Sequence, residues 1–383
     1  MAEADLSSNA IELARQRAAN GDGYIDLTSS NPTQQGLLFP PDLLRAAADP
    51  FWVSRRYSPD PRGRLETRQA VASYYLRRSP ALSLSVQKDI FITSSTSEAY
   101  NLLFALLTNP GDNVLAPDVG YPLFDYLAAL HHIELRPYSL DPRRNWQIDG
   151  PSLLAAADTH TRAVLIVSPH NPTGTVVRQP VPELDQLGLP VLCDEVFAEF
   201  TYGVPTVPPF GTLHPALPVF HLNGISKLFA LPDLKLGWMA LSGGASARYG
   251  ERLELLNDTF LGANALSQYM LPTLFDTGWG FVEQMRERVR HNFDLALSHL
   301  ADYPHIRTYR PDGGYNLLID VMGENDEEAL VLRLLDKGVL VHPGYFFNAL
   351  PELDRARLMI SCLTETETFS AGIERLLEVR IEN

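Results

Sequence analysis

One lysine of the chain has a setting suited to chemistry on a carbonyl group. Lys227 lies in GISKLFALPDLKLGW (residues 224–238), where most of its neighbours are apolar. Burial lowers the pKa of an amine, and an unprotonated lysine is a nucleophile toward aldehydes. A lone lysine in such a segment is more often a surface side chain with a buried stem. Its role therefore depends on the residues that the fold brings near it.

A carboxylate and an amide end two other apolar stretches. Asp194 follows PVLC (190–193), where an unpaired carboxylate is costly and a cationic partner is expected; a helix cap is the alternative. Asn171 lies in the turn SPHNPTG (168–174), and the following proline holds it in an extended conformation. Its amide can therefore be aimed with little loss of entropy, although many such turns are purely structural.

The segment TSSTSEAY (93–100) predicts the start of a helix. Ser95 and Glu98 have the spacing of a capping box, directly before the apolar sequence YNLLFALL. A helix amino terminus offers free backbone N–H groups and a partial positive charge, and three consecutive hydroxyl side chains add donors: Ser95, Thr96 and Ser97. This cluster suits a phosphate group, or it simply caps the helix.

The elements that must position these residues alternate in type. Seven short apolar runs are separated by helical or loop segments between about residues 88 and 242: DIFIT, NVLA, IELRPY, TRAVLIV, PVLC, PVFHL and GWMAL. This pattern predicts an α/β fold with a mostly parallel seven-stranded sheet sandwiched by helices. Ligands of such sheets gather beyond the carboxyl ends of the strands, which is where the four polar clusters lie. The proline-rich stretch 202–218 is predicted to be a surface loop.

Length and pattern predict more than one domain. A chain of 383 residues exceeds what a single core usually organises, and long helical stretches follow residue 258. We expect an amino-terminal arm (1–40) packed with a smaller α+β domain (261–383), and a large ligand-binding domain (41–260) that carries the four polar clusters.

Composition argues against several classes of protein. The net charge of -15 disfavours nucleic-acid binding, and the chain has no apolar run long enough for a membrane span. The amino terminus lacks the features of a secretory signal, so a cytoplasmic protein is expected. Cys193 and Cys362 are expected to be reduced core residues, and the Cys and His spacing suggests no metal site.

The order of these clusters resembles the fold type I pyridoxal-phosphate enzymes, and within them the class I/II aminotransferases. Further segments along nearly the whole chain are similar to motifs of that family: SSNPT (29–33), YSPDPRG (57–63), PDVGYPLF (117–124), HPGYFF (342–347) and MISCLTE (359–365). The resemblance implies transfer of an amino group between an amino acid and a 2-oxo acid by a ping-pong route.

The resemblance also implies roles for individual residues. Lys227 would hold pyridoxal 5'-phosphate as an imine and move the substrate proton, and Asp194 would keep the pyridine nitrogen protonated. Asn171 would donate to the phenolic oxygen, and Tyr121 would stack on the ring. The phosphate would meet Ser95, Thr96, Ser97, Ser226, Lys235 and Tyr57 of the partner subunit. A shared site of this kind implies a homodimer.

Three positions depart from the family pattern. Phe197 stands where a tyrosine commonly donates to the phenolic oxygen, and Lys235 replaces an arginine at the phosphate. Met359 stands where the family's arginine holds the substrate carboxylate. Arg357, two residues earlier on the same side of a strand, is the predicted replacement, with Arg310 as an alternative. Asn31 and Tyr121 are the other predicted substrate contacts.

Other functions remain open at this point. A pyridoxal-phosphate lyase or cyclising synthase acting on an amino acid would share all the cofactor residues, and the missing arginine gives that alternative weight. A regulatory module of the same fold usually carries a DNA-binding domain ahead of it, for which the short arm leaves no room. The sequence does not name the amino donor, the acceptor or the pathway.

Overall fold

The apolar runs of the sequence form short strands. The structure, a computed structural model, describes residues 8–349 and 354–378; residues 1–7 of the predicted arm and 379–383 of the predicted small domain lie outside that range. The strands are β1 (Ile25–Asp26), β2 (Ile90–Thr93), β3 (Asn113–Pro117), β4 (Glu134–Tyr138), β5 (Leu140–Asp141), β6 (Gln147–Ile148), β7 (Thr161–Val167), β8 (Val191–Asp194), β9 (Val219–Gly224), β10 (Gly237–Ser242), β11 (Ile306–Thr308), β12 (Asn316–Met322), β13 (Val339–Leu340), β14 (His342–Pro343) and β15 (Arg355–Ser361).

Helices connect these strands. They are α1 (Ala10–Asn20), α2 (Pro41–Ser54), α3 (Leu65–Arg77), α4 (Thr96–Leu107), α5 (Leu123–Leu130), α6 (Gly150–Ala156), α7 (Pro182–Leu187), α8 (Phe210–Leu213), α9 (Ile225–Leu228), α10 (Ala245–Thr259), α11 (Ala265–Thr277), α12 (Trp279–Leu300), α13 (Glu327–Asp336) and α14 (Thr366–Glu378). Short 3-10 helices cover Pro32–Gln35, Pro142–Arg144, Pro232–Leu234 and Gly344–Phe347.

The predicted seven-stranded sheet is confirmed. Its strand order is β2-β10-β9-β8-β7-β3-β4, and β10 runs antiparallel to both of its neighbours, whereas the other pairs are parallel. Side chains alternate between the two faces of a strand. Trp238 and Ala240 therefore pack with α3 and α11, and Met239 and Leu241 pack with α4 and α10. Helices thus cover both faces, as expected for buried parallel strands.

A second, antiparallel sheet forms from the last third of the described chain. Its order is β11-β12-β15-β14, and α12, α13 and α14 contribute to the apolar cluster beneath it. Strand β1 pairs in parallel with β13 and brings residues 25–26 to this part of the chain. The division of the chain into domains at residues 40 and 260 stays a prediction.

The predicted surface loop at 202–218 is exposed only in part, because its large apolar side chains are buried. Val204, Val207, Phe210 and Leu217 are each at most 6% exposed, and Phe210–Leu213 forms α8. Prolines prevent a long regular element here. Phe210 and Leu217 nevertheless pack with residues of the sheet, and Val204 and Val207 form a small separate cluster.

The sequence analysis also made predictions about the two cysteines and about membrane-spanning segments. Both cysteines are buried and unpaired with each other. Within residues 8–349 and 354–378, every helix is too short or too polar to traverse a bilayer.

Candidate active site

A cavity of about 240 Å³ lies at the carboxyl ends of the central strands. The last residues of β7, β8 and β9 all contribute to its wall, as the position of polar clusters after these strands predicts. Among the described residues its lining is Ser30, Ser95, Thr96, Ser97, Tyr100, Tyr121, Leu123, Phe124, Val167, Asn171, Asp194, Val196, Phe197, Gly224, Ser226, Lys227, Pro232, Lys235 and Leu236.

The amino terminus of α4 forms one end of the cavity. The Ser95 hydroxyl accepts a hydrogen bond from the Glu98 N–H at 3.1 Å, so the predicted helix start and serine cap are present, while the Glu98 carboxylate accepts from the Ser94 N–H and not from that of Ser95. A Cβ on Gly237 would lie 2.8 Å from the Ser95 carbonyl carbon. Only glycine lets β10 pass this close to the helix terminus. Thr96 and Ser97 occupy the first turn, so hydroxyls, free N–H groups and the positive end of the helix face the cavity together.

Asp194 ends β8 and is 7% exposed. Its carboxylate accepts hydrogen bonds from the Tyr100 hydroxyl at 2.9 Å and from the Val196 N–H at 3.0 Å. Burial raises the pKa of Asp194 to about 6, because desolvation of the charged form outweighs these two donors and the attraction of Lys227. A cation placed in the cavity next to Asp194 would therefore be strongly attracted to the carboxylate.

Lys227 lies in the short helix α9 and lines the same cavity. Its Nζ donates to the Ser30 carbonyl at 3.2 Å. Burial lowers the pKa of the Lys227 amine, and the Asp194 carboxylate opposes this shift. The Tyr315 hydroxyl donates to the Lys227 carbonyl at 3.0 Å and so fixes the backbone that carries the amine. An amine poised toward its neutral form suits attack on an aldehyde.

Asn171 is oriented by a residue that the sequence analysis missed. The Asn316 amide donates to the Asn171 Oδ1 at 2.7 Å, which leaves the Asn171 Nδ2 to donate elsewhere. Asn316 begins β12, in a different sheet, and its own Oδ1 has no hydrogen-bond partner among the described residues. No local pattern predicts this contact, since it depends on how the two sheets meet.

Aromatic residues form part of the wall. Tyr121 is 45% exposed, and its ring lies 6.2 Å from that of Phe124 in an edge-on arrangement. Phe197 is buried and packs edge-on against Tyr315 at 4.9 Å. Tyr100 is the second site residue that the sequence analysis did not predict. Its position early in α4, just after the Ser95, Thr96 and Ser97 cluster, could have indicated that it lies near the site.

Arg357, the predicted anchor of the substrate carboxylate, lies outside the cavity lining, and its substrate role stays a prediction. Its guanidinium pairs with Asp320 through two contacts of 2.8 and 3.2 Å and lies 4.7 Å above the Trp146 ring. The register of β12 and β15 places Asp320 directly opposite Arg357. The intervening Met359 packs in the apolar cluster with Trp146 and Leu318. Arg357 is therefore held by Asp320, outside the cavity lining.

Other predicted contacts also lie outside the lining. The Asn31 Oδ1 accepts from the N–H and the hydroxyl of Thr33, so this side chain caps the 3-10 helix, while the adjacent Ser30 lines the cavity. Arg310 is exposed and pairs with Asp294. Lys227 and Lys235 are the cationic side chains among the described residues of the wall. Tyr57, 78% exposed, does not line this chain's own cavity.

Comparisons with known proteins identify the family. The model for "Aminotransferase class I and II" matches residues 22–376. The chain belongs to this family. Mouse tyrosine aminotransferase is 29% identical over 318 residues, which cover 79% of the chain and 69% of the mouse protein. A probable aminotransferase of Arabidopsis thaliana, TAT3, is 32% identical over 68% of the chain and 60% of its own length.

Solved structures agree on the fold. An alanine aminotransferase from Pyrococcus furiosus superposes with a TM-score of 0.85 at 21% identity, over 96% of the chain and 98% of that structure. The class I/II aminotransferase described here therefore moves an amino group between an amino acid and a 2-oxo acid.

Proposed function

We propose that this aminotransferase uses pyridoxal 5'-phosphate, bound in the cavity between Asp194, Lys227 and the amino terminus of α4. The carrying observation is that a buried carboxylate with a raised pKa and an amine with a lowered pKa line one cavity. Perturbed titratable groups that share a cavity are typical of active sites.

The donor set of the cavity fits each part of that cofactor. The phosphate needs anion donors, which the α4 terminus supplies, with further hydroxyl and ammonium groups from Ser95, Thr96, Ser97, Ser226 and Lys235. The ring nitrogen, cationic when protonated, suits Asp194, and the phenolic oxygen suits the free Asn171 Nδ2. Tyr121 supplies an aromatic ring for stacking. The close approach at Gly237 keeps the phosphate end narrow.

When bound, the cofactor supplies an electron-accepting ring that stabilises negative charge at the carbon next to the amino group. Asp194 holds a proton at the ring nitrogen, and the Tyr100 hydroxyl keeps that carboxylate in place. Lys227 would hold the aldehyde group of the cofactor through its amine, and the same amine would take and return the proton of the substrate carbon. Its lowered pKa favours the neutral form that this proton transfer requires. Phe197 contributes no donor at the phenolic oxygen, so Asn171 is the donor there.

We also propose a homodimer in which Tyr57 of the partner subunit reaches the phosphate. Large apolar side chains are exposed around this segment: Trp52 is 57%, Val53 88% and Tyr57 78% exposed. Exposed apolar patches of this kind typically mark subunit contacts. The two unpaired buried cysteines support a reducing compartment, such as the cytoplasm.

The amino donor that we propose has an apolar or aromatic side chain. Leu123, Phe124, Val196 and Leu236 form an apolar part of the wall, and the mouse relative is a tyrosine aminotransferase. Burying an aromatic side chain contributes about 1.5–3 kcal/mol. We therefore expect kcat/KM for tyrosine or phenylalanine to exceed that for aspartate by about tenfold or more.

The test is amino transfer by the cofactor-loaded protein, followed as oxo-acid formation across a panel of amino acids. Lys227→Ala should lose transfer completely, and the control Lys337→Ala, at an exposed position, should retain it. Release of ammonia and pyruvate without an oxo-acid acceptor would instead favour the lyase alternative. Equal turnover by Lys227→Ala and the control would overturn the proposal.

A further inference from the structure

A second cavity, of about 600 Å³, lies at the opposite end of strand β10 from the first cavity. Strand β10 begins at Gly237, beside the α4 terminus, and ends at Ser242 in this second cavity. The two cavities are thus separated by the length of the strand. Arg62, Lys88 and Gly211 contribute to the wall around Ser242. The aminotransferase chemistry uses none of these residues.

Ser242 ends a chain of three hydrogen-bonded side chains. Its Oγ lies 3.0 Å from the His221 Nε2, and the His221 Nδ1 lies 2.8 Å from the Glu195 Oε1. His221 and Glu195 are fully buried, whereas Ser242 is partly exposed at the cavity. A hydroxyl bonded to an imidazole, which is in turn oriented by a carboxylate, is the arrangement of an activated nucleophile.

The charge of Glu195 fixes the imidazole in the useful tautomer. Burial alone would raise the pKa of Glu195, but His221 and Arg78 outweigh burial and lower the pKa to about 2. The ionised carboxylate also accepts from the Phe210 N–H at 3.1 Å, and the Arg78 Nη1 lies 3.2 Å away. An ionised carboxylate only accepts, so the proton on His221 Nδ1 points to Glu195. In the neutral imidazole, Nε2 is then the nitrogen that accepts from Ser242.

Two glycines and the start of a helix follow Ser242. Gly243 and Gly244 follow it with φ of 60° and 80°, and the 15-residue helix α10 begins at the next residue. This places a helix amino terminus, with its free N–H groups, directly after the hydroxyl. A Cβ on Gly211 would lie 2.1 Å from the Ser242 Oγ, so glycine is required for the serine and imidazole to meet.

We propose that Ser242, His221 and Glu195 form a second site that cleaves carboxylic esters. The Ser242 Oγ attacks the carbonyl carbon while its proton passes to His221 Nε2. The carbon–oxygen bond of the ester then breaks, and the leaving alcohol takes the proton from His221. Water, deprotonated by the same nitrogen, next attacks the acyl-serine, which releases the carboxylic acid and restores the hydroxyl. Every atom and proton is supplied by the ester, water and these side chains.

The experiment is labelling of the cofactor-loaded enzyme with a fluorophosphonate probe, followed by peptide mass spectrometry. We expect the adduct on Ser242, absent in Ser242→Ala and retained in Ser246→Ala, a hydroxyl on the same cavity wall that donates to the Lys88 carbonyl. Hydrolysis of p-nitrophenyl acetate should fall by about 100-fold in His221→Gln, because the general base is lost.

Amino transfer by Ser242→Ala should equal that of the unmodified protein. The proposed ester site can therefore be refuted without refuting the proposed cofactor site, and the reverse. Mapping the adduct on the unmodified protein needs no variant to fold. An adduct on Ser246 or elsewhere, or no adduct on an enzyme that still transfers amino groups, would overturn the proposal and leave the three residues as a buried structural network.

Discussion

Replacing Asp194 with asparagine should stabilise the cofactor-free protein at alkaline pH. The carboxyl is buried, and desolvation raises its pKa from the ordinary 3.8 to about 6. Because the folded protein binds this proton more tightly than the unfolded chain, the free energy of unfolding falls as the pH rises from about 4 through about 6. Two pK units correspond to about 3 kcal/mol lost above that range. Asparagine keeps the shape of the side chain and does not ionise.

Urea unfolding of the two cofactor-free proteins measures this difference. We expect Asp194→Asn to exceed the unmodified protein by about 3 kcal/mol at pH 8 and to match it closely at pH 4, where the carboxyl is largely protonated in the folded state. Asp233→Asn, at an exposed position, is the control and should change neither value. With cofactor present, the order should reverse at pH 8, since Asp194→Asn has no charge to offer the ring nitrogen. Equal stability of the cofactor-free proteins at pH 8 would refute the argument from burial.

Three further predictions concern single side chains. Gly237→Ala should push the first turn of α4 away and weaken cofactor binding at least about tenfold in a fluorescence titration. The control Gly280→Ala, with open space at its Cβ, should bind the cofactor normally. Equal affinities of the two variants would contradict the close approach of β10 to α4. Arg357→Ala should lower the free energy of unfolding by about 2 kcal/mol in urea, because the buried Asp320 carboxylate loses two charged hydrogen bonds and keeps those from Arg355 and Tyr309. KM for amino acids should stay unchanged; a large rise in KM would support the predicted substrate role. Phe197→Tyr should lower the pKa of the lysine–cofactor linkage by up to about one unit, since one hydrogen bond contributes about 0.5–1.5 kcal/mol. An unchanged absorbance titration would mean that the new hydroxyl does not reach the phenolic oxygen of the cofactor.

The central sheet was predictable because each strand is a short, continuous apolar run, and the position of the cavity followed from the polar residue after each run. Asp194 and Lys227 could be singled out on that basis. Both follow strands whose carboxyl ends meet at one edge, and neither has the alternating polar neighbours of a solvated surface segment. Local sequence therefore carried the part of the site that a single sheet builds.

Contacts between distant segments were not predictable. The sequence places Arg357 on a strand, but its partner Asp320 lies on another strand, β12. Only the pairing register of β12 and β15 shows that the two charges meet. The same limit applies to Asn316, which orients Asn171 from another sheet. Proline content suggested a surface loop at 202–218, but Phe210 and the residues around it are buried by strands whose order the local sequence does not give.

Reduction of the purified, cofactor-loaded protein with borohydride, followed by peptide mass spectrometry, tests the central claim most directly, because reduction makes the bond between lysine and cofactor permanent. The account predicts a pyridoxyl group on Lys227. A pyridoxyl group on Lys235 instead, or no modified lysine in a protein that still transfers amino groups, would contradict it.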